Sequence, residues 1–277
     1  MIEDTIIVIN SSHRADRVIT PTLFPEGVIK WVIAVPEEQL QEYAQYWPNN
    51  LVSIPSYVAS YLSSQRQWVM QNYWDTYTNI WFMDDDLKFF YRKEDGKTNL
   101  TRITSTDTME NLILSVVSHL EDKALVSISE RFGNNFVTSP YKDIGKIRAC
   151  YAVNTQVFKN IGAVFNPIEP FQAQDYHIVL CFLNAGYKNR ILFNYAFDEK
   201  SSAPGGCSVY RTAKTVEETS KWMAANHPEV TLKIKYSKTD WGMVDVGNGI
   251  KARVDIRVQW KKAYRPNTAD KPKLFFV

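Results

Sequence analysis

At 277 residues the chain is close to the largest that a single hydrophobic core supports. Its 45% hydrophobic and 22% charged residues exclude disorder over most of its length, and eleven Gly and twelve Pro exclude a collagen-like or linker-dominated chain. The net charge of +2 is unevenly divided, because residues 233–277 carry eleven Lys or Arg against four Asp and leave the first 232 residues acidic. Such a division suggests either a polyanion-facing end on an acidic body or a solvated basic tail.

No apolar run approaches the ~18–20 residues of a membrane helix. The opening MIEDTIIVIN carries acids where a signal peptide would carry positive charge. Cys150, Cys181 and Cys207 are odd in number and widely spaced, which fits neither a disulfide framework nor a metal knuckle. A soluble, reduced, cytosolic protein is expected.

In chain order, Thr5–Ile9 reads as a short buried strand followed by the polar stretch Asn10–Asp16. Val28–Val35 is a second strand, leading through Pro36 into a helical pattern that runs to Tyr43. Ser63–Trp74 reads as a helix, and Asn79–Met83 as a third buried strand that stops at Asp84-Asp85-Asp86. Asp107–Leu120 is helical, with Asp107 as N-cap and Glu110 three residues on, and Ala124–Ile128 is a fourth strand. This alternation indicates an α/β layer on a largely parallel sheet.

Further on, Arg148–Val153 and Arg190–Tyr195 read as strands around a helix at Asp175–Ala185, and Thr215–Ala225 as a helix opened by a Thr215–Glu218 capping box. The tail then takes a period of two. Val230, Leu232, Ile234 and Tyr236 alternate with polar residues, and so do Val254, Ile256, Val258 and Trp260. Joined by a Gly-rich stretch, the two runs predict an antiparallel hairpin with one apolar and one mostly basic face, Trp260 lying on the apolar one.

Three adjacent carboxylates at the end of an apolar strand repel one another unless a cation or solvent offsets them. Ligands of open α/β sheets gather beyond strand carboxyl ends, so the triplet points to a hard divalent ion bridging to a diphosphate. Arg14, Arg17 and Arg66 lie at loop or helix positions leading to the same edge. Asp175 reads first as an N-cap and second as a general base. Ser129–Asn135, with Gly133 between Arg131 and Asn134, reads equally as a ligand loop or an ordinary turn. Pro204–Ser208 is a flexible loop in which Cys207 lacks the neighbours of a nucleophile. His227 reads as a helix-end partner of the dipole, or as a metal ligand joining distant carboxylates. Zinc, dinucleotide and P-loop signatures are absent from the sequence.

The strand ending in MDDDLKF, with RQW before it and VSISERFGNN after it, resembles a glycosyltransferase of GT-A type. The ordered set SSHRAD, AVPEE, RQWV, FMDDDLKFFYR, SISERFGNN, QDYHIVLCFLNAGYKN, GGCSVYRT, NHPE and VQWKKAY is similar to the TET/JBP-associated glycosyltransferases, over roughly residues 5 to 264. Members of that family act in bacteriophages beside DNA-base hydroxylases, and the base-J glucosyltransferase is a relative.

The resemblance implies a GT-A-like mixed, mostly parallel sheet flanked by helices, with the basic hairpin at its C-terminal end. It implies one domain, in which residues 1–130 bind the nucleotide sugar, 131–232 hold acceptor and catalysis, and 233–277 form the basic hairpin and tail. The expected reaction moves a sugar from a UDP-sugar to the hydroxymethyl group of 5-hydroxymethylcytosine or 5-hydroxymethyluracil in DNA, inside a phage-infected bacterial host. Carried over by position, Asp175 is the base of an inverting reaction, and Asp84, Asp86 and His227 hold Mn²⁺ or Mg²⁺. Ser11, Arg14, Arg66, Asp84 and Asp85 face the donor, while Arg131, Asn134, Asn135, Gly205, Gly206, Arg211, Lys261 and Lys262 face the DNA. A glycan or protein acceptor, and a catalytically dead DNA-binding module, are the rival expectations.

Overall fold

A computed structural model describes residues 2–93, 99–134, 136–199, 209–237, 244–245 and 250–266. The chain begins with β1 (Thr5–Asn10), β2 (Lys30–Pro36), α1 (Leu40–Ala44), β3 (Leu51–Ile54), α2 (Leu62–Tyr73) and β4 (Asn79–Asp84). There follow β5 (Leu87–Arg92), β6 (Leu100–Arg102), α3 (Thr106–His119), β7 (Leu125–Glu130), β8 (Tyr141–Asp143), β9 (Cys150–Asn154), α4 (Thr155–Asn160) and α5 (Gln174–Asn184). The last elements are β10 (Arg190–Glu199), α6 (Ala213–Asn226), β11 (Val230–Ser237), β12 (Val244–Asp245), β13 (Lys251–Val258) and α7 (Trp260–Ala263).

The main sheet runs β3-β2-β1-β4-β9-β7-β10-β5-β6, with β8 also on β10. Strands β3, β2, β1 and β4 are mutually parallel, as are β7 and β10, while β9 is inserted antiparallel between β4 and β7. This is the mixed α/β sheet with flanking helices that the GT-A resemblance implies. Every residue of β1 is buried, as expected for a strand with parallel neighbours on both sides and helices over both faces. Alternate side chains divide between two cores. Ile6, Val8, Ile80 and Phe82 pack under α2 and α5, whereas Ile7, Ile9, Trp81 and Met83 pack under α3.

Two consequences of this topology position the site. Asn10 of β1 is in register with Asp84 of β4, so the polar segment after β1 and the acidic triplet emerge side by side. Strand β10 shifts register against β7 between Leu192 and Ala196, pairing with β8 before the shift and with β5 after it, and its far end Glu199 lies opposite Leu87 just after the triplet.

The expected hairpin forms as a second sheet, β11-β13-β12, with Val230 opposite Val258 and Ser237 opposite Lys251. Helix α6 packs against it through Met223, beside Val230 and Ile256. Its apolar row is only partly covered, since Leu232, Ile234 and Tyr236 are 47%, 62% and 64% exposed. Trp260 departs from the expectation. The strand stops at Val258, and Trp260 opens α7 against the Tyr176 ring.

Three caps also differ from expectation. Ser105, not Asp107, caps α3, its hydroxyl accepting from the Thr108 N–H. Thr212 and Thr215 form the capping box of α6, one turn ahead of the Thr215–Glu218 pair. Asp175 sits inside the first turn of α5, whose N-cap is Ala173, so its carboxylate is not used as a cap.

Candidate active site

A cavity of about 810 Å³ opens where β1 and β4 end. Its floor is the acidic turn, pinned through the backbone. The Asp84 N–H donates to the Ala149 carbonyl, Thr20 Oγ1 donates to the Asp84 carbonyl at 2.6 Å, and the N–H groups of Ile19 and Thr20 both reach the Asp85 carbonyl. The three side chains then take three different partners.

Arg66 Nη2 donates to Asp84 Oδ1 at 2.7 Å, and Arg66 Nη1 donates to the Tyr151 hydroxyl at 3.1 Å. That guanidinium lies 5.6 Å from the Phe82 ring and 5.3 Å from the Tyr151 ring, within the core under the cavity. Asp85 points inward, accepting from the Ser11 hydroxyl and, at 2.9 Å, from Arg14 Nη1. The Tyr43 hydroxyl meets Ser11 Oγ at 2.7 Å and accepts from the Arg14 N–H at 3.1 Å, which locks the loop after β1 to the triplet. Asp86 lies 3.3 Å from the same Arg14 nitrogen.

The electrostatics follow from this crowding. Burial, then repulsion from Asp85 and Asp84, pushes the Asp86 carboxyl up to about 6. Burial also raises Asp85, against the pull of Ser11 and Arg14. For Arg14, burial opposes the charge, but Asp85 and Asp86 outweigh it and raise its pKa. Across the cavity, burial raises the carboxyl of the half-buried Asp175, with Arg148 pulling the other way. Arg148 bridges Glu199 and Glu130, and burial likewise raises Glu199.

Ser11, Arg14, Arg66, Asp84, Asp85, Asp86, Asp175 and Arg211 all line this one cavity. Other expected site residues lie elsewhere. Arg131 stacks over Phe90 at 4.3 Å and pairs with Asp198. Asn134 is fully buried, with Nδ2 donating to Ser129 Oγ and the Phe193 carbonyl while its Oδ1 accepts from Arg92, so it brackets the β7–β10 junction. Lys261 and Lys262 border a separate recess beside Lys146. Asn135, Gly205, Gly206 and Cys207 lie outside the described residues.

The expectation that His227 joins the acids is corrected by its position. The turn at Pro228 and Glu229 folds it into the core, where its Nε2 is 2.8 Å from His177 Nδ1 and Trp222 packs on both rings. Among the described residues no group of three His, Cys, Asp or Glu side chains is placed to hold a metal ion. Asp84 and Asp86 offer two carboxylates to the cavity, a pair that fits Mg²⁺ or Mn²⁺ when diphosphate oxygens and waters complete the shell.

Further cations line the cavity. Lys146 and Arg148, which carry no local sequence signal, reach it from the segment between β8 and β9, and Lys233, Lys235 and Arg253 from the basic face of β11 and β13. Glu199 could have been found by the rule that singled out the triplet, since it too ends a largely buried strand.

The family profile of TET-associated glycosyltransferases matches residues 5–206 of this chain. The chain belongs to this family. It is therefore a glycosyltransferase, and about two thirds of the lining of the cavity just described lies within the matched span, with the segment before α6, α6 itself and the hairpin contributing the rest from beyond it.

Solved structures give distant likenesses to this glycosyltransferase. TarS 1–349 of S. aureus in complex with UDP aligns at a TM-score of 0.47 and 10% identity, covering 79% of this chain and 65% of that one. A CMP:2-keto-3-deoxy-manno-octonic acid synthetase bound to CTP aligns at 0.42 and 12% identity, covering 68% and 88%. A protein from Desulfovibrio desulfuricans G20, assigned as a nucleotide-diphospho-sugar transferase, aligns at 0.43 and 9%, covering 69% and 80%. The chain thus spans about 65% of the length of TarS 1–349. A search among curated proteins gives no match. Among the described residues no helix is long and apolar enough to cross a membrane.

Proposed function

We propose that this glycosyltransferase moves a sugar from a UDP-sugar to the hydroxymethyl group of 5-hydroxymethylcytosine or 5-hydroxymethyluracil in DNA. The observation that carries the reading is one cavity with the acids of β4, the arginines Arg14 and Arg66, Asp175, and the basic row Lys233, Lys235 and Arg253 of the hairpin on its walls. Acids and guanidinium groups suit a nucleoside diphosphate, and a row of cations suits a phosphodiester acceptor.

In this reading Arg14 steadies the diphosphate, while Asp85, Ser11 and Tyr43 hold Arg14 in place. Asp84 and Asp86 would hold Mn²⁺ or Mg²⁺, which when bound neutralises charge on the departing diphosphate. Asp175 takes the proton of the acceptor hydroxyl as its oxygen attacks the anomeric carbon. The bond from that carbon to the diphosphate oxygen breaks, its electron pair leaves with UDP, and configuration inverts. The raised pKa of Asp175 brings it nearer the working pH, which suits a general base. The target base leaves the duplex to reach the cavity, as in other enzymes that act on bases. Residues 1–130 then supply the donor half, 131–232 the acceptor half, and the hairpin the phosphate contacts.

The test is mass spectrometry of nucleosides after hydroxymethylated DNA is incubated with Mn²⁺ and a panel of sugar nucleotides. A mass gain of one sugar on the hydroxymethylated nucleoside is expected. Turnover of a donor onto glycan or protein, with the DNA unchanged, would overturn the acceptor assignment.

A further inference from the structure

Next to the donor cavity lies a recess of about 500 Å³ bordered by Lys142 of β8, the turn Ile144–Lys146, and Gln259–Lys262 at the start of α7. Four of its eight lining residues are lysines and none is an acid. Its apolar surface comes from Ile144, the half-buried Trp260 and the lysine stems.

The turn is built, not merely exposed. Ile144 has φ of +65°, a left-handed conformation that a β-branched residue adopts only when its surroundings impose it. The fully buried Asn189 imposes it here. Asn189 Nδ2 donates to the Gly145 carbonyl at 2.9 Å, its Oδ1 accepts from the Gly145 N–H at 3.2 Å, and its own carbonyl accepts from the Ile144 N–H at 2.9 Å. A Cβ at Gly145 would sit 2.8 Å from Ile191 Cδ1 and 2.9 Å from Lys142 Cε, so the ends of those two side chains pack directly over the glycine. The backbone that carries Lys142 and Lys146 is thereby held on either side of this turn.

The recess also abuts the chemistry. Lys146 lines both spaces, with its ammonium 2.8 Å from Glu130 and 5.9 Å from the Tyr176 ring. The Trp260 ring meets Tyr176 edge-on at 5.3 Å, and Tyr176 lines the donor cavity directly after Asp175. An aromatic and aliphatic floor with a lysine rim matches a planar base carrying a phosphate.

We propose that this recess takes the nucleotide adjoining the modified one in the DNA acceptor, its base against Trp260 and its phosphate at Lys142, Lys261 and Lys262. The proposal rests on the DNA-acceptor reading above and adds a second, sequence-tolerant contact to it.

The experiment measures binding of the full chain to a short labelled oligonucleotide containing one 5-hydroxymethylcytosine, intact or with an abasic position on its 5′ or its 3′ side. The wild-type chain is expected to bind about tenfold more weakly when the base on one particular side is missing. Trp260→Leu should lose a similar factor on the intact strand and nothing further on that abasic strand, while Trp260→Phe keeps most of the affinity and UDP binding is unchanged. Lys261→Glu with Lys262→Glu, on exposed side chains, gives an independent arm and should lower the salt dependence of binding. Wild-type affinity indifferent to both abasic positions overturns the recess alone, as does a Trp260→Leu loss that is equal on intact and abasic strands or extends to UDP. Failure of the wild-type chain to bind or modify any of these strands overturns the DNA reading and the recess with it.

Discussion

Arg66 and Asp84 form an asymmetric ion pair: the guanidinium is 1% exposed while the carboxylate 2.7 Å away is 31% exposed. The burial predicts which partner is costlier to lose. Removing Asp84 leaves a charge in the core between Phe82 and Tyr151, whereas removing Arg66 leaves a carboxylate that the cavity solvent can hydrate. Breaking a buried pair so that one charge is stranded costs about 3–5 kcal/mol, and exposed partners cost far less. Urea unfolding should therefore rank Asp84→Ala as much less stable than Arg66→Met, with the double variant recovering most of the Asp84→Ala loss. Equal losses for the two single variants would contradict the assigned burial.

Asp175 and Arg148 face the cavity from different elements, and the role of Asp175 as proton acceptor predicts a separation of effects. Asp175→Asn keeps the size of the side chain and its acceptor for the Tyr176 N–H. Transfer to acceptor should fall about 10²–10⁴-fold, while UDP affinity by calorimetry and the circular dichroism spectrum stay as they are. Product from the wild-type chain should show the anomeric configuration opposite to that of the donor. Retained transfer in Asp175→Asn, or retained configuration, would remove Asp175 from the proton step.

The parts of the site legible in the sequence are those written locally. Asp84–Asp86 follow an apolar run, Arg14 follows another, and two such strand ends in a parallel layer meet at one edge. The meeting of Arg148 with Glu199 was not legible. It depends on β9 entering antiparallel and on the register shift within β10, both settled by pairing over long separations. His227 misled for a related reason: a histidine after a helix reads as exposed, and only the tertiary course of Pro228 and Glu229 buries it. The hairpin was predicted correctly by its period of two, yet which of its faces met the cavity depended on where α6 docked it.

The buried His177–His227 pair predicts how stability depends on pH. Burial lowers His227 to about 4 and His177 well below its usual value, so both stay neutral in the folded chain. An unfolded histidine takes up its proton near pH 6.5. Between that value and about 4 the unfolded chain thus binds more protons at these two positions, and their contribution is full above pH 6.5 and lost as pH falls. Two protons correspond to a limiting slope of about 2.7 kcal/mol per pH unit. The raised carboxyls Asp85, Asp86, Asp175 and Glu199 act with the opposite sign, so the comparison that isolates the pair is with a variant. Going from pH 7 to pH 5, His177→Phe with His227→Gln should lose less stability than the wild-type chain. Parallel pH profiles of the urea midpoint would refute neutral burial.

Lys233 and Lys235 lie on the same face of β11 and border the cavity, whereas Leu232 and Ile234 turn the other way. If that row meets acceptor phosphates, binding carries a salt signature. Each phosphate neutralised on duplex DNA contributes about 0.9 to the slope of log affinity against log salt. Lys233→Glu with Lys235→Glu should lower that slope by about two, weaken binding most at low salt, and leave UDP affinity unaltered. Both side chains are exposed, so the urea midpoint should barely move. A slope matching the wild-type value, with transfer to DNA intact, would remove β11 from the acceptor surface and leave phosphate contacts to Lys142, Lys261 and Lys262.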